Sequence, residues 1–205
     1  RLDITTYLES FAWAANFDIM SNSWGGGGFS QALYDAISRA RDEDILFTAA
    51  AGNSGSDNDA FPHYPSSYDL DNIVAVAATD RNDDITWFSC FGATSVDIGA
   101  PGQDIYSAVA LSDNAYDFFS GTSMACPHVS GALALMKAAF PSSTYDQLIQ
   151  RLYDSADPIP ALTGLCTTGA RLNISSAMEG GEAVNVFAEL DTDQDGLTDF
   201  YEKNL

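Results

Sequence analysis

Ser123 lies in the run Ser120-Gly121-Thr122-Ser123-Met124-Ala125-Cys126-Pro127-His128-Val129, where a turn of small residues leads into an apolar helical pattern. The first turn of a buried helix has unpartnered backbone N–H groups and the positive end of the helix dipole. A serine there sits where charge developing on a reacting oxygen is favoured. Pro127 falls early enough in the helix that its missing N–H costs little. The same residues would also suit a serine that merely caps a core helix, and the context has to decide between the two.

A second set of chemically competent residues closes the chain. Asp191, Asp193, Asp195, Gly196, Asp199 and Glu202 occupy positions 1, 3, 5, 6, 9 and 12 of an EF-hand-type loop, with the Leu197 carbonyl at position 7. Hard oxygen ligands at that spacing wrap one calcium ion, and Gly196 permits the sharp turn. The alternative is a solvated acidic linker. Three cysteines, Cys90, Cys126 and Cys166, match no zinc framework. Cys126 reads as a small buried hydrophobe. Cys90 and Cys166 flank the serine helix and could pair in an oxidising compartment.

Acids number 29 and bases 8 among 205 residues, a formal charge of −21, with 46% hydrophobic residues. That apolar share builds a core and excludes a disordered acidic tail. A surface this acidic repels phosphate backbones and anionic lipids, which argues against nucleic-acid or peripheral-membrane function and favours cation binding. The longest apolar candidate, Gly131 to Phe140, is broken by Lys137 and falls short of the roughly 18 residues that span a bilayer.

Apolar spacing predicts helices over Ile4–Ala15, from Ser30 as N-cap through Ala40, from Ser123 to about Phe140, and over Thr144–Ala156. The strand ending in Ser23-Trp24 is closed by Gly25 to Gly28. Ile45–Ala51 and Asn72–Ala78 are nearly continuous apolar runs, as expected of strands covered on both faces. Short extended pieces are expected at Ile85–Phe88, Ser95–Gly99, Asp104–Val109 and Tyr116–Phe119, and a surface loop over Ser54–Asp71. Strands alternating with helices imply an α/β fold with a mostly parallel sheet flanked by helices in three layers.

In that context Gly121-Thr122-Ser123-Met124-Ala125 followed by Pro127-His128 resembles the nucleophile motif of the subtilisin-like serine proteases, the subtilases. Ser21-Asn22-Ser23-Trp24-Gly25-Gly26 resembles the family's substrate-binding strand and Ala49-Ala50-Ala51-Gly52-Asn53 its oxyanion-hole strand. Tyr64-Pro65-Ser66-Ser67-Tyr68, Phe88-Ser89-Cys90-Phe91-Gly92 and Asp97 to Gly102 follow in the family's order. The resemblance covers roughly residues 1–180. It implies a serine endopeptidase acting through an acyl-enzyme on Ser123, with Asn53 donating to the oxyanion. It further implies that Ser23, Trp24, Gly25, Ala50 and Gly52 bind an extended protein or peptide substrate by strand addition.

The family's catalytic Asp and His motifs lie ahead of the substrate-binding strand, and nothing here matches them. His128 sits where the family has a structural histidine. His63 reads as a surface or pocket-wall residue. A serine without its base is a weak nucleophile. The chain, which begins with Arg1, therefore reads as an N-terminally truncated part of a catalytic domain at 1–188, followed by a calcium-binding linker at 189–205. The expected setting is a secreted bacterial enzyme whose missing N-terminal part supplies the other two catalytic residues. The alternative is a non-catalytic peptide-binding relative. An unrelated α/β serine hydrolase is disfavoured, because Gly-x-Ser-x-Gly is absent around Ser123.

Overall fold

The two most apolar runs form the interior of the sheet. The computed structural model describes residues 17–110 and 112–181; the helix expected at Ile4–Ala15 and the calcium-binding loop expected from Asp191 to Glu202 lie outside them. Strands β1 (Ile19–Asn22), β2 (Leu46–Ala50), β3 (Ile73–Thr79) and β4 (Ile98–Pro101) pair in parallel in that order. Every residue of β2 and β3 is buried. Short strands β7 (Asp157–Pro158) and β8 (Ala170–Arg171) extend the sheet in the order β1-β2-β3-β4-β8-β7, and only β7 runs antiparallel to its neighbour.

Side-chain alternation along the central strands makes the layers. Phe47, Ala49 and Ile73 point to helix α1 (Gln31–Asp42), where they meet Leu33, Ala36, Ile37 and Ala40. Leu46, Val74, Val76 and Ala78 point the other way, onto helices α2 (Thr122–Ala139) and α3 (Tyr145–Asp154). The result is a three-layer α/β fold with a mostly parallel sheet between helices. Ser30 caps α1 by accepting from the Leu33 N–H at 3.4 Å. Thr144 begins α3 in a capping box with Gln147.

Several sequence expectations shift. Ile85–Phe88 is a turn with one bridge, Thr79 to Ile85, and no strand. The Asp80 carboxylate accepts from the Asn82 and Asp84 N–H groups and so closes the segment locally. Loop 54–71 is not simply surface, since Asn58, Ser66, Tyr68 and Leu70 are buried. Helix α2, apolar nearly all round in sequence, buries Val129, Ala132, Leu133, Met136 and Ala139 but leaves Leu135 51% exposed. All three cysteines are buried free thiols, with Cys90 and Cys166 in one apolar cluster and not bonded to each other. Strands β5 (Ile105–Ala108) and β6 (Tyr116–Phe119) form a separate antiparallel hairpin leading into α2. A short helix, α4 (Ile174–Ala177), ends the described fold.

Candidate active site

Parallel pairing puts the ends of β1 and β2 side by side, with Asn22 opposite Ala49. The segments that leave those ends carry Ser23 and Asn53, and the N-terminus of α2 rises between them. This is the carboxyl edge of the strands, where open α/β sheets place their ligands.

Ser123 is fixed by a reciprocal pair. Its hydroxyl donates to the Ser23 carbonyl at 3.2 Å, and the Ser23 hydroxyl donates to the Ser123 carbonyl at 2.8 Å. Asn53 is held by its carbonyl oxygen, which accepts from the Thr122 N–H at 2.8 Å and the Thr122 hydroxyl at 3.0 Å. That hydroxyl in turn accepts from the Gly52 N–H at 3.1 Å. The Asn53 amide nitrogen is thereby left to donate elsewhere.

Within the first turn of α2, the Thr122 N–H goes to Asn53, and the Met124 and Ala125 N–H groups go to the Gly121 carbonyl. The Ser123 N–H keeps no hydrogen bond among the described residues. Two N–H donors, the Asn53 amide and the Ser123 backbone, therefore flank the serine at the positive end of an 18-residue helix. Gly52 adopts φ +111°, a conformation that L side chains rarely take, and this turn delivers Asn53.

The remaining expected binding residues gather here too. Ala50 is buried at the end of β2. Trp24 donates its ring N–H to the Asn22 side-chain oxygen at 3.2 Å and packs against the α1 core. Gly25 is exposed, and next to it the Gly26 N–H donates to the Tyr64 carbonyl at 2.8 Å, tying this segment to the 63–68 loop. Three participants escaped sequence reasoning. Thr122 lies inside the serine motif without a role that its position in sequence suggests. Ser66 reads only as part of the Tyr64–Tyr68 motif, and the exposed Trp87 only as part of an extended piece. Trp87 lines a cleft of about 480 Å³ with Asn53, Gln103, Asp104 and Ser120, on the hairpin side of the site.

Neither of the chain's two histidines hydrogen-bonds Ser123. His128 donates Nδ1–H to the Met124 carbonyl at 2.8 Å within α2, and His63 bonds Ser66. No group of three or more His, Cys, Asp or Glu arranged to hold a metal occurs among the described residues, and none of their helices is long and apolar enough to cross a membrane.

A mostly parallel sheet between helix layers, with a serine in the first turn of a buried central helix at the carboxyl edge of the strands, defines the class as a three-layer α/β protein. A model of the subtilase family matches residues 2–189, and the chain belongs to that family. It is 36% identical over 165 residues to a thermostable alkaline protease of Halalkalibacterium halodurans, covering 78% of this chain and 44% of that protein. Subtilisin DY of Bacillus licheniformis is 39% identical over 152 residues, covering 73% of this chain and 54% of its own length. A solved structure of proteases from Pseudoalteromonas arctica aligns at a TM-score of 0.70 and 29% identity, covering 78% of this chain and 50% of that one. The chain thus spans about half the length of these relatives.

Proposed function

We propose that this chain carries the nucleophile and oxyanion side of a serine endopeptidase site. Ser123 attacks the scissile carbonyl, and the Asn53 amide and Ser123 N–H bind the oxygen as it becomes negative. The substrate backbone lies along Ser23-Trp24-Gly25, with Ala50 and Gly52 forming the opposite wall. What supports this most is the Gly52–Thr122–Asn53 hydrogen-bond chain, which holds the Asn53 side chain by its oxygen against the helix that carries Ser123 and leaves the amide nitrogen to donate.

The chemistry also needs an acid and an imidazole beside Ser123. In this reading both come from polypeptide outside residues 1–205, because neither of the chain's two histidines hydrogen-bonds Ser123 and both hold other contacts through Nδ1. With them the imidazole takes the Ser123 proton, the acyl-enzyme forms, and water hydrolyses it. The catalytic part is residues 1–188, and residues 189–205 are a calcium-binding linker. Kinship with bacterial alkaline proteases and the acidic composition suit a secreted enzyme.

A fluorophosphonate tests the reading. The complete enzyme should be labelled on Ser123, Ser123→Ala should abolish labelling while leaving the fold intact, and residues 1–205 alone should turn over no peptide. Labelling that persists in Ser123→Ala would place the nucleophile elsewhere. The competing reading, a peptide-binding relative without catalysis, is favoured by the absence of a base bonded to Ser123 among the described residues. A complete protein that binds peptide but resists the fluorophosphonate would establish it.

A further inference from the structure

The imidazole of His63 fills the space between the two glycine-bearing segments that flank Ser123. A Cβ built on Gly25 would overlap the ring at Cε1 and stand 2.8 Å from Nε2, and one built on Gly52 would stand 3.0 Å from Cδ2 and 3.2 Å from Nε2. Gly25 is two residues from Ser23, and Gly52 immediately precedes Asn53. An acyl group on Ser123 with its oxygen toward Asn53 would therefore direct its own side chain toward this ring.

The hydrogen bonds fix the tautomer. The Ser66 hydroxyl donates its single proton to the His63 carbonyl at 2.7 Å. The same oxygen lies 3.0 Å from Nδ1, so there it can only accept, and Nδ1 carries the ring proton. Neutral Nε2 is then a lone pair, without a hydrogen-bond partner among the described residues, at the edge facing Gly25 and Gly52. The titratable groups around the ring are Tyr64 and Tyr68 on its own loop and Cys90, whose sulfur approaches the same Gly52 position. Burial lowers the imidazole pKa, and no carboxylate or cation offsets that.

We propose that His63 is the specificity-determining residue for the substrate side chain on the acyl side of the scissile bond. It admits a medium-length side chain ending in a hydrogen-bond donor, such as the glutamine carboxamide, and rejects both the isosteric carboxylate of glutamate and large aromatic rings. The inference rests on the peptidase reading. Its physical basis is that a partly desolvated acceptor leaves a carboxylate unpaired and facing a lone pair, whereas an amide N–H satisfies it. The ring itself occupies the depth an aromatic side chain would need.

The test measures kcat/KM of the complete enzyme on four peptides that differ only in that residue, Ala, Phe, Gln or Glu, at pH 8 and pH 5. At pH 8 glutamine should exceed glutamate at least tenfold and phenylalanine should fall below alanine. Lowering the pH toward 5 moves Nε2 toward its protonated, donating form, so the glutamine-to-glutamate ratio should shrink. His63→Gly should raise phenylalanine at least tenfold relative to alanine and abolish that pH dependence, and His63→Phe should abolish it without opening the site. Turnover of the alanine peptide with ratios unchanged in both variants would overturn this inference alone. No turnover of the alanine peptide by the unsubstituted enzyme would overturn the peptidase reading and this inference with it.

Discussion

Thr122 grips Asn53 from two directions, its N–H at 2.8 Å and its hydroxyl at 3.0 Å converging on one carbonyl oxygen. Because the same hydroxyl receives the Gly52 N–H, a fully buried side chain links both ends of the Gly52-Asn53 turn to the helix that carries Ser123. A mobile carboxamide becomes a donor with a fixed direction, and orientation of this kind is where much of the transition-state stabilisation in acyl transfer resides.

Thr122→Val should therefore lower kcat by about 10- to 100-fold in the complete enzyme with little change in KM, the scale expected when a reacting geometry slips by about 1 Å. Stability should also fall by about 1–3 kcal/mol, since the Gly52 N–H loses its acceptor. Thr122→Ser, which keeps the hydroxyl, should restore most of the kcat. Steady-state kinetics with denaturant titration of the three proteins checks both effects.

Gly52→Ala should destabilise the fold by about 1–3 kcal/mol, because φ +111° is costly for any side chain. The new methyl would also stand 3.0 Å from both the Cys90 sulfur and the His63 ring. Urea unfolding would show a lower midpoint with an unchanged slope.

Asp97 makes stability depend on pH. Its carboxylate accepts from the Ala75 N–H at 2.7 Å and from the Thr167 and Tyr153 hydroxyls, yet burial dominates and pushes its pKa up to about 6. The folded state therefore holds this proton more tightly than the unfolded chain, whose aspartate titrates near 3.9. Stability should be greatest below about pH 4 for this group and fall as pH rises through about 6, by up to about 3 kcal/mol. That figure is an upper bound, because Asp97 lines a cleft of about 600 Å³. Asp97→Asn should flatten the curve over pH 4–7, as read by urea unfolding at each pH.

Calcium should bind the loop from Asp191 to Glu202. Titration calorimetry on the intact chain is expected to show one site, abolished by chelator and weakened at least tenfold by Glu202→Gln. Absence of a heat signal would leave the segment an acidic linker.

Much of this fold was legible because its most informative strands are covered on both faces. Leu46 to Ala50 and Ile73 to Thr79 announce themselves as apolar runs since both sheet surfaces are buried there. The same rule hid β7 and β8, which are two residues each and too short for any period to register. Trp87 misled for the opposite reason. Its apolar neighbourhood suggested a strand, while the Asp80 turn leaves the ring 88% exposed beside Asn53. Within the site, Ser123 and Asn53 were readable through their motifs. Thr122 was not, because its role depends on a contact 69 residues away that no local pattern encodes.

The Ser23–Ser123 pair joins positions 100 residues apart through two bonds of opposite direction. The strand proposed to seat the substrate and the atom proposed to attack it consequently drift together in thermal motion, so their relative misalignment is smaller than the excursion of either. Evolution inherits a constraint from this arrangement. Sequence change at Ser23 cannot retune affinity independently of turnover, so divergence in substrate range is channelled to positions outside the clasp.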